Sequence, residues 1–143
     1  FADYLYQPPA LPAGNFKDLA TTYWSPGTGE VMMRANWTDK NAAYAHFSCG
    51  PFTESHAHRD QGSFLIYRGE WLAPTNNIYT HSGIQQGEAL NNLVRIVQGG
   101  NTLTQDGGQQ CALTALADTP LYTYLSAKVT PMYGSHPAVT SAD

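Results

Sequence analysis

The chain is poor in charge, in cysteine and in long apolar runs, and each shortage closes off a class of function. Only 13 % of its 143 residues are Asp, Glu, Lys or Arg, and the seven basic ones are scattered from Lys17 to Lys128. Phosphate backbones are held by clustered Lys and Arg. With a formal net charge of −4 and no basic cluster, a nucleic-acid partner is not expected. No apolar stretch approaches the roughly 18 residues of a membrane span, so no span is expected. No charged-then-apolar leader is visible at the amino end, which starts at Phe1. Two cysteines, Cys49 and Cys111, fit a disulfide and a pair of buried thiols about equally well. No internal repeat is found at solenoid periods.

Against these shortages stand nine tyrosines among 12 % aromatics, with thirteen glycines and nine prolines. Breakers at that density forbid long helices and favour short strands joined by turns. The length suits one domain with a real core. Residues 1–18, rich in proline, read as an extended lead-in, residues 19–130 as the folded domain, and residues 131–143 as an irregular tail that reads as cut short.

Period-two alternation carries the strand assignments. Residues 19–24 form a first strand and residues 25–29 a turn. Residues 30–37 form a second strand, with Val31, Met33, Ala35 and Trp37 on one face and Met32, Arg34 and Asn36 on the other. A polar loop at 38–41 leads into residues 43–49, where Ala45, Phe47 and Cys49 oppose Tyr44, His46 and Ser48. These two strands should pair antiparallel. A hairpin follows, with arms at 64–67 and 71–72 and its turn at Arg68-Gly69. Residues 92–98 read as a further strand, and 111–116 with 121–129 as a last pair. A weaker helical pattern covers 88–96. The expected fold is all-β, an antiparallel β-sandwich of supersandwich or jelly-roll type.

The stretch Ser55-His56-Ala57-His58-Arg59-Asp60-Gln61-Gly62 concentrates the chemistry. On an extended backbone His56 and His58 leave the same face roughly 7 Å apart, and Asp60 continues that face. Imidazole and carboxylate ligands suit zinc, with His81 the obvious remote third ligand and Asp106 and Asp118 behind it. The bland alternatives are half-exposed polar side chains at the histidines, a solvated Arg59 and an Asp60 that caps a turn. His46 reads as an ordinary strand histidine, and Tyr44, Tyr67 and Tyr79 mainly as packing residues, any one of which could meet a sugar.

The run His56-Ala57-His58-Arg59-Asp60-Gln61-Gly62-Ser63-Phe64-Leu65-Ile66-Tyr67, followed by Gly69-Glu70-Trp71-Leu72, resembles the β-sandwich domain of heparinase II/III-like polysaccharide lyases over about residues 25 to 100. The resemblance implies β-elimination at a uronic acid of an acidic polysaccharide, with His56 catalytic at the cleft and His58 on a structural zinc. It implies a substrate-facing role for Arg59 and Tyr67 and a periplasmic or secreted location. Two further zinc-ligand positions of the family fall at Thr75 and Asn91, so His81 or Asp60 would have to substitute. The family's remaining catalytic groups sit on a preceding α/α-toroid domain that these residues do not contain. The isolated chain is therefore expected to be inactive.

Two other classes compete. One is a non-catalytic β-sandwich that binds carbohydrate or a partner through Trp24, Trp37 and Trp71, although alternation puts Trp37 in the core. The other is a cupin-like metal enzyme, which also uses His-x-His but needs a glutamate where this chain has Gly62 and Ser63.

Overall fold

The structure, a computed structural model, describes residues 14–53, 57–75 and 87–136. Five strands run in sequence order as one antiparallel sheet: β1 (Thr22–Ser25), β2 (Glu30–Arg34), β3 (Tyr44–Ser48), β4 (Ser63–Arg68) and β5 (Glu70–Ala73). Two antiparallel ribbons follow, β6 (Val97–Gln98) with β7 (Asn101–Thr102), and β8 (Ala112–Asp118) with β9 (Thr123–Lys128). The fold is all-β and antiparallel, as the alternation indicated. Helical structure among the described residues is limited to 3-10 turns at Phe16–Asp18, Glu88–Leu90 and Thr130–Tyr133. No helix among them is long and apolar enough to cross a membrane.

Register assigns each sheet residue to a face. Trp24, Val31, Phe47 and Phe64 stand opposite one another in turn across β1 to β4, as do Thr22, Met33, Ala45 and Ile66. These two rows make the inner face. Val31 is fully buried there, and Phe47 packs with Leu113 of β8 against a core of Cys49, Leu103, Cys111, Ala127, Met132 and Tyr133. Cys49 and Cys111 form a disulfide across 62 residues, which decides a question their spacing left open.

The turn before β2 must pass close to the end of β3. The Gly29 carbonyl accepts from the Cys49 amide, and the Gly29 φ is 76°. A Cβ there would lie 2.2 Å from the Cys49 carbonyl oxygen, so only glycine closes this turn.

Three expectations change. β2 ends at Arg34, so Trp37 does not continue its inner row: the ring is 37 % exposed and its indole N–H reaches the Ala20 carbonyl. Asn36 ends the strand by accepting bonds from the Thr38 and Asp39 amides, which turns the chain. The strand expected over 92–98 shrinks to Val97–Gln98. Asn92 instead docks beside the β4–β5 hairpin, its side-chain amide donating to the Phe64 and Pro74 carbonyls while its own carbonyl accepts from Phe64. Finally, residues read as the start of an irregular tail supply two of the most buried side chains, Met132 and Tyr133.

Candidate functional site

The outer face of the sheet and the histidine loop at its end form the candidate site. Strand alternation puts Tyr23, Met32, His46 and Leu65 in one outer row, Ser25, Glu30, Ser48 and Ser63 in the next towards the loop, and Arg34, Tyr44, Tyr67 and Trp71 in the row on the other side. His46 Nε2 and Glu30 Oε2 lie 2.5 Å apart, and the Ser48 hydroxyl donates to the same carboxylate oxygen. A carboxylate that accepts from both sides fixes the imidazole against the sheet.

Residues 57–62 are held in place from below. Gln105, 2 % exposed, pairs through its carboxamide with both backbone groups of Gln61: Oε1 accepts from the Gln61 amide at 3.1 Å and Nε2 donates to the Gln61 carbonyl at 2.8 Å. The side chain thereby stands in for a neighbouring strand. Gln61, itself buried, returns its Oε1 to the Gly50 amide and its Nε2 to Asp60. Glu88, 5 % exposed, accepts from the Gln105 amide and lies 4.0 Å from Arg59 Nε. No described buried side-chain polar atom lacks a partner.

Burial pushes the Asp60 carboxyl above the ordinary carboxylate range; the nearby Glu30 charge adds to this and His58 opposes it. The loop and the Glu30–His46 pair therefore share one electrostatic neighbourhood. Burial likewise raises the Tyr44 phenol, reinforced by Glu30 and opposed by Arg34. On the far side of the loop Asp106 is held below the usual range by two bonds from Ser135, one from its hydroxyl and one from its amide.

The residues expected from sequence divide accordingly. His58 is half-buried in the loop beside Asp60. Arg59 is committed on one side to the scaffold, its Nε donating to the Gln105 carbonyl. Tyr67 lies on the outer face, edge-on to Trp71 with ring centroids 5.5 Å apart. The expected catalytic His56 and metal ligand His81 lie outside the described residues. Thr75 and Asn91, the positions matched to zinc ligands, meet: the Thr75 hydroxyl is 3.0 Å from Asn91 Oδ1 and 3.0 Å from the Leu90 carbonyl. Neither side chain is a zinc donor of the usual kind. Among the described residues no three His, Cys, Asp or Glu side chains come together to hold a metal, so on these residues alone a zinc ion has too few donors.

Sequence reasoning passed over His46, Glu30 and the two buried glutamines. Alternation placed His46 and Glu30 on strands, but only the register of β2 against β3 makes them neighbours. The pairing of Gln61 with Gln105 joins residues 44 apart and had no local signal. The chain matches no protein-family model and no curated protein.

Proposed function

We propose that the chain is one wall of the cleft of a polysaccharide lyase that acts by β-elimination on uronic-acid-containing polysaccharide. An α/α-toroid domain of the same polypeptide supplies the remaining catalytic groups, and the isolated chain is inactive without it. The observation that carries this reading is the meeting of Thr75 and Asn91. The resemblance alone assigns these positions, 16 residues apart, to one metal centre, and they lie in hydrogen-bond contact. A zinc ion would be held by His58 together with His81.

In the elimination the C5 proton leaves, a C4–C5 double bond forms, the C4–O4 bond breaks and O4 takes a proton. The weakly acidic C5 proton demands that the sugar carboxylate be neutralised and that base and acid be fixed in position. His56 is the chain's own contribution to proton transfer; of the described residues that follow it in sequence, Gln61 is held to the scaffold by Gln105. Tyr67 would face the sugar, whereas Arg59 is engaged by the scaffold through the Gln105 carbonyl. The buried Cys49–Cys111 disulfide suits an oxidising compartment and so supports a periplasmic or secreted location.

A second reading, a non-catalytic carbohydrate-binding or partner-binding β-sandwich, is favoured by the aromatic side chains on the outer face. Two measurements separate the readings. The chain alone should be retarded by uronate polymers in affinity electrophoresis while no ultraviolet-absorbing unsaturated product accumulates. Joined to its toroid domain it should release that product, and His56→Ala should abolish the release. Steady turnover by the isolated chain, or an undiminished His56→Ala enzyme, would sink the lyase reading as stated.

A further inference from the structure

The geometry points to a carbohydrate-binding strip across the outer face of the five-stranded sheet, from Trp37 and Arg34 through Tyr44 and Tyr67 to Trp71, in which Arg34 takes the sugar carboxylate. This rests on the acidic polysaccharide proposed above and moves the anion contact from the histidine loop to the sheet.

Register lines up the members of the strip. Arg34 stands opposite Tyr44, Tyr44 opposite Tyr67, and Tyr67 opposite Trp71, so four consecutive strands each contribute one member to a single row. Three strand spacings make that row about 14 Å long, the reach of a short oligosaccharide. Aromatic faces suit the apolar C–H faces of sugar rings, and their hydroxyl rims supply hydrogen bonds. Trp71 is 53 % exposed, and its partner Tyr67 is half-buried. The edge-on contact between them fixes both rings.

The other end of the row opens on an apolar recess of about 390 Å³. Tyr23, Met32, Arg34, Trp37 and Tyr44 are among the residues that line it. Arg34 is prepared there as an anion receptor. Its guanidinium carbon lies 5.0 Å from the centre of the Trp37 ring, and its Nε donates to the Asn36 carbonyl at 2.8 Å. Stacking and that single bond orient the fork, while its two terminal nitrogens make no hydrogen bond among the described residues. A planar fork with both terminal nitrogens available fits a carboxylate in bidentate fashion.

Arg59 compares poorly. Its Nε is spent on the Gln105 carbonyl, and the buried Glu88 carboxylate lies 4.0 Å away, so its charge is already partly offset. Arg34 has no carboxylate within ion-pair distance among the described residues. Charge complementarity therefore selects an acidic rather than a neutral polysaccharide, and selects Arg34 as the contact.

The test titrates the whole chain with polygalacturonate and, in parallel, with a neutral glucan, reading tryptophan fluorescence and gel retardation. Arg34→Ala should weaken polygalacturonate binding about tenfold or more, the value of a charged hydrogen-bonded contact. Arg34→Lys, which keeps the charge and loses the fork, should fall between Arg34→Ala and the parent. Tyr67→Ala and Trp71→Ala should each weaken binding severalfold, and Arg59→Ala should change it less than twofold. Thermal melts within a few degrees of the parent show that the variants are folded.

Binding by the parent that survives Arg34→Ala, Tyr67→Ala and Trp71→Ala within twofold overturns the strip and leaves the lyase reading standing. Loss on Arg59→Ala with retention on Arg34→Ala overturns the assignment of the carboxylate contact. Tighter binding of the neutral glucan than of polygalacturonate also overturns that assignment. A parent chain that binds neither polymer removes the acidic-polysaccharide reading, and the strip with it.

Discussion

The two faces of the five-stranded sheet are built from the same strands and do opposite work. The inner face presents Val31, Phe47 and their neighbours to a core closed by a disulfide, whereas the outer face presents Glu30, Arg34, Tyr44, His46 and Tyr67. One residue along any strand separates a packing role from a polar one. A perturbation of the inner face should therefore move stability, and one of the outer face should move binding.

The largest break is expected at the disulfide. Cys49→Ser with Cys111→Ser removes a cross-link that spans 62 residues, and chain entropy alone puts the loss at about 4 kcal/mol. Urea denaturation should show that loss, or a chain that no longer folds at physiological temperature. An unchanged midpoint would mean that the inner face is held by packing alone.

Next in size is Gln105→Ala. It strips Gln61 of two backbone partners in a buried setting, which costs about 1–3 kcal/mol. It should also release residues 57–62, seen as faster amide exchange at Gln61 with little change in β1 and β2. Uniform loss of protection would show that the loop and the sheet open together.

The smallest effect is in pH dependence. The Asp60 carboxyl is raised in the folded state mainly by burial, so the proton binds more tightly to the folded than to the unfolded chain. Its contribution to stability is fully present below the unfolded carboxylate value and is lost as pH rises through the folded one. Asp60→Asn should flatten that fall, with a modest gain at neutral pH. Denaturation midpoints between pH 3 and 7 measure it, and a parent-like slope in the variant would assign the trend to another group.

The comparison also explains what the sequence could carry. The β2–β3 pairing and the β4–β5 hairpin were legible, because β2 and β3 alternate and turn signals such as Pro26-Gly27 and Arg68-Gly69 punctuate the strands, whereas the continuous β1–β5 order was not. The histidine loop announced itself by composition. What stayed hidden was everything decided by which residues face one another across the chain. Trp37 obeyed the alternation on paper, yet Asn36 ended the strand first. Leu93, Val94 and Ile96 looked like a strand, but the local chain is occupied in clamping β4 and Pro74 through Asn92. Met132 and Tyr133 carry no periodicity, since a single 3-10 turn is too short to show one. The Glu30–His46 pair is a product of register alone.

The disulfide has a topological consequence. Cys49 closes the end of β3 and Cys111 precedes β8, so the histidine loop, β4 and β5 all lie inside one covalent ring. A protease that cuts anywhere between the two cysteines opens this ring without separating the pieces. The nicked chain should run as a single species on a non-reducing gel and fall into two only when thiol is added. The segment that carries the chemistry is thus the one the molecule can have severed and still retain.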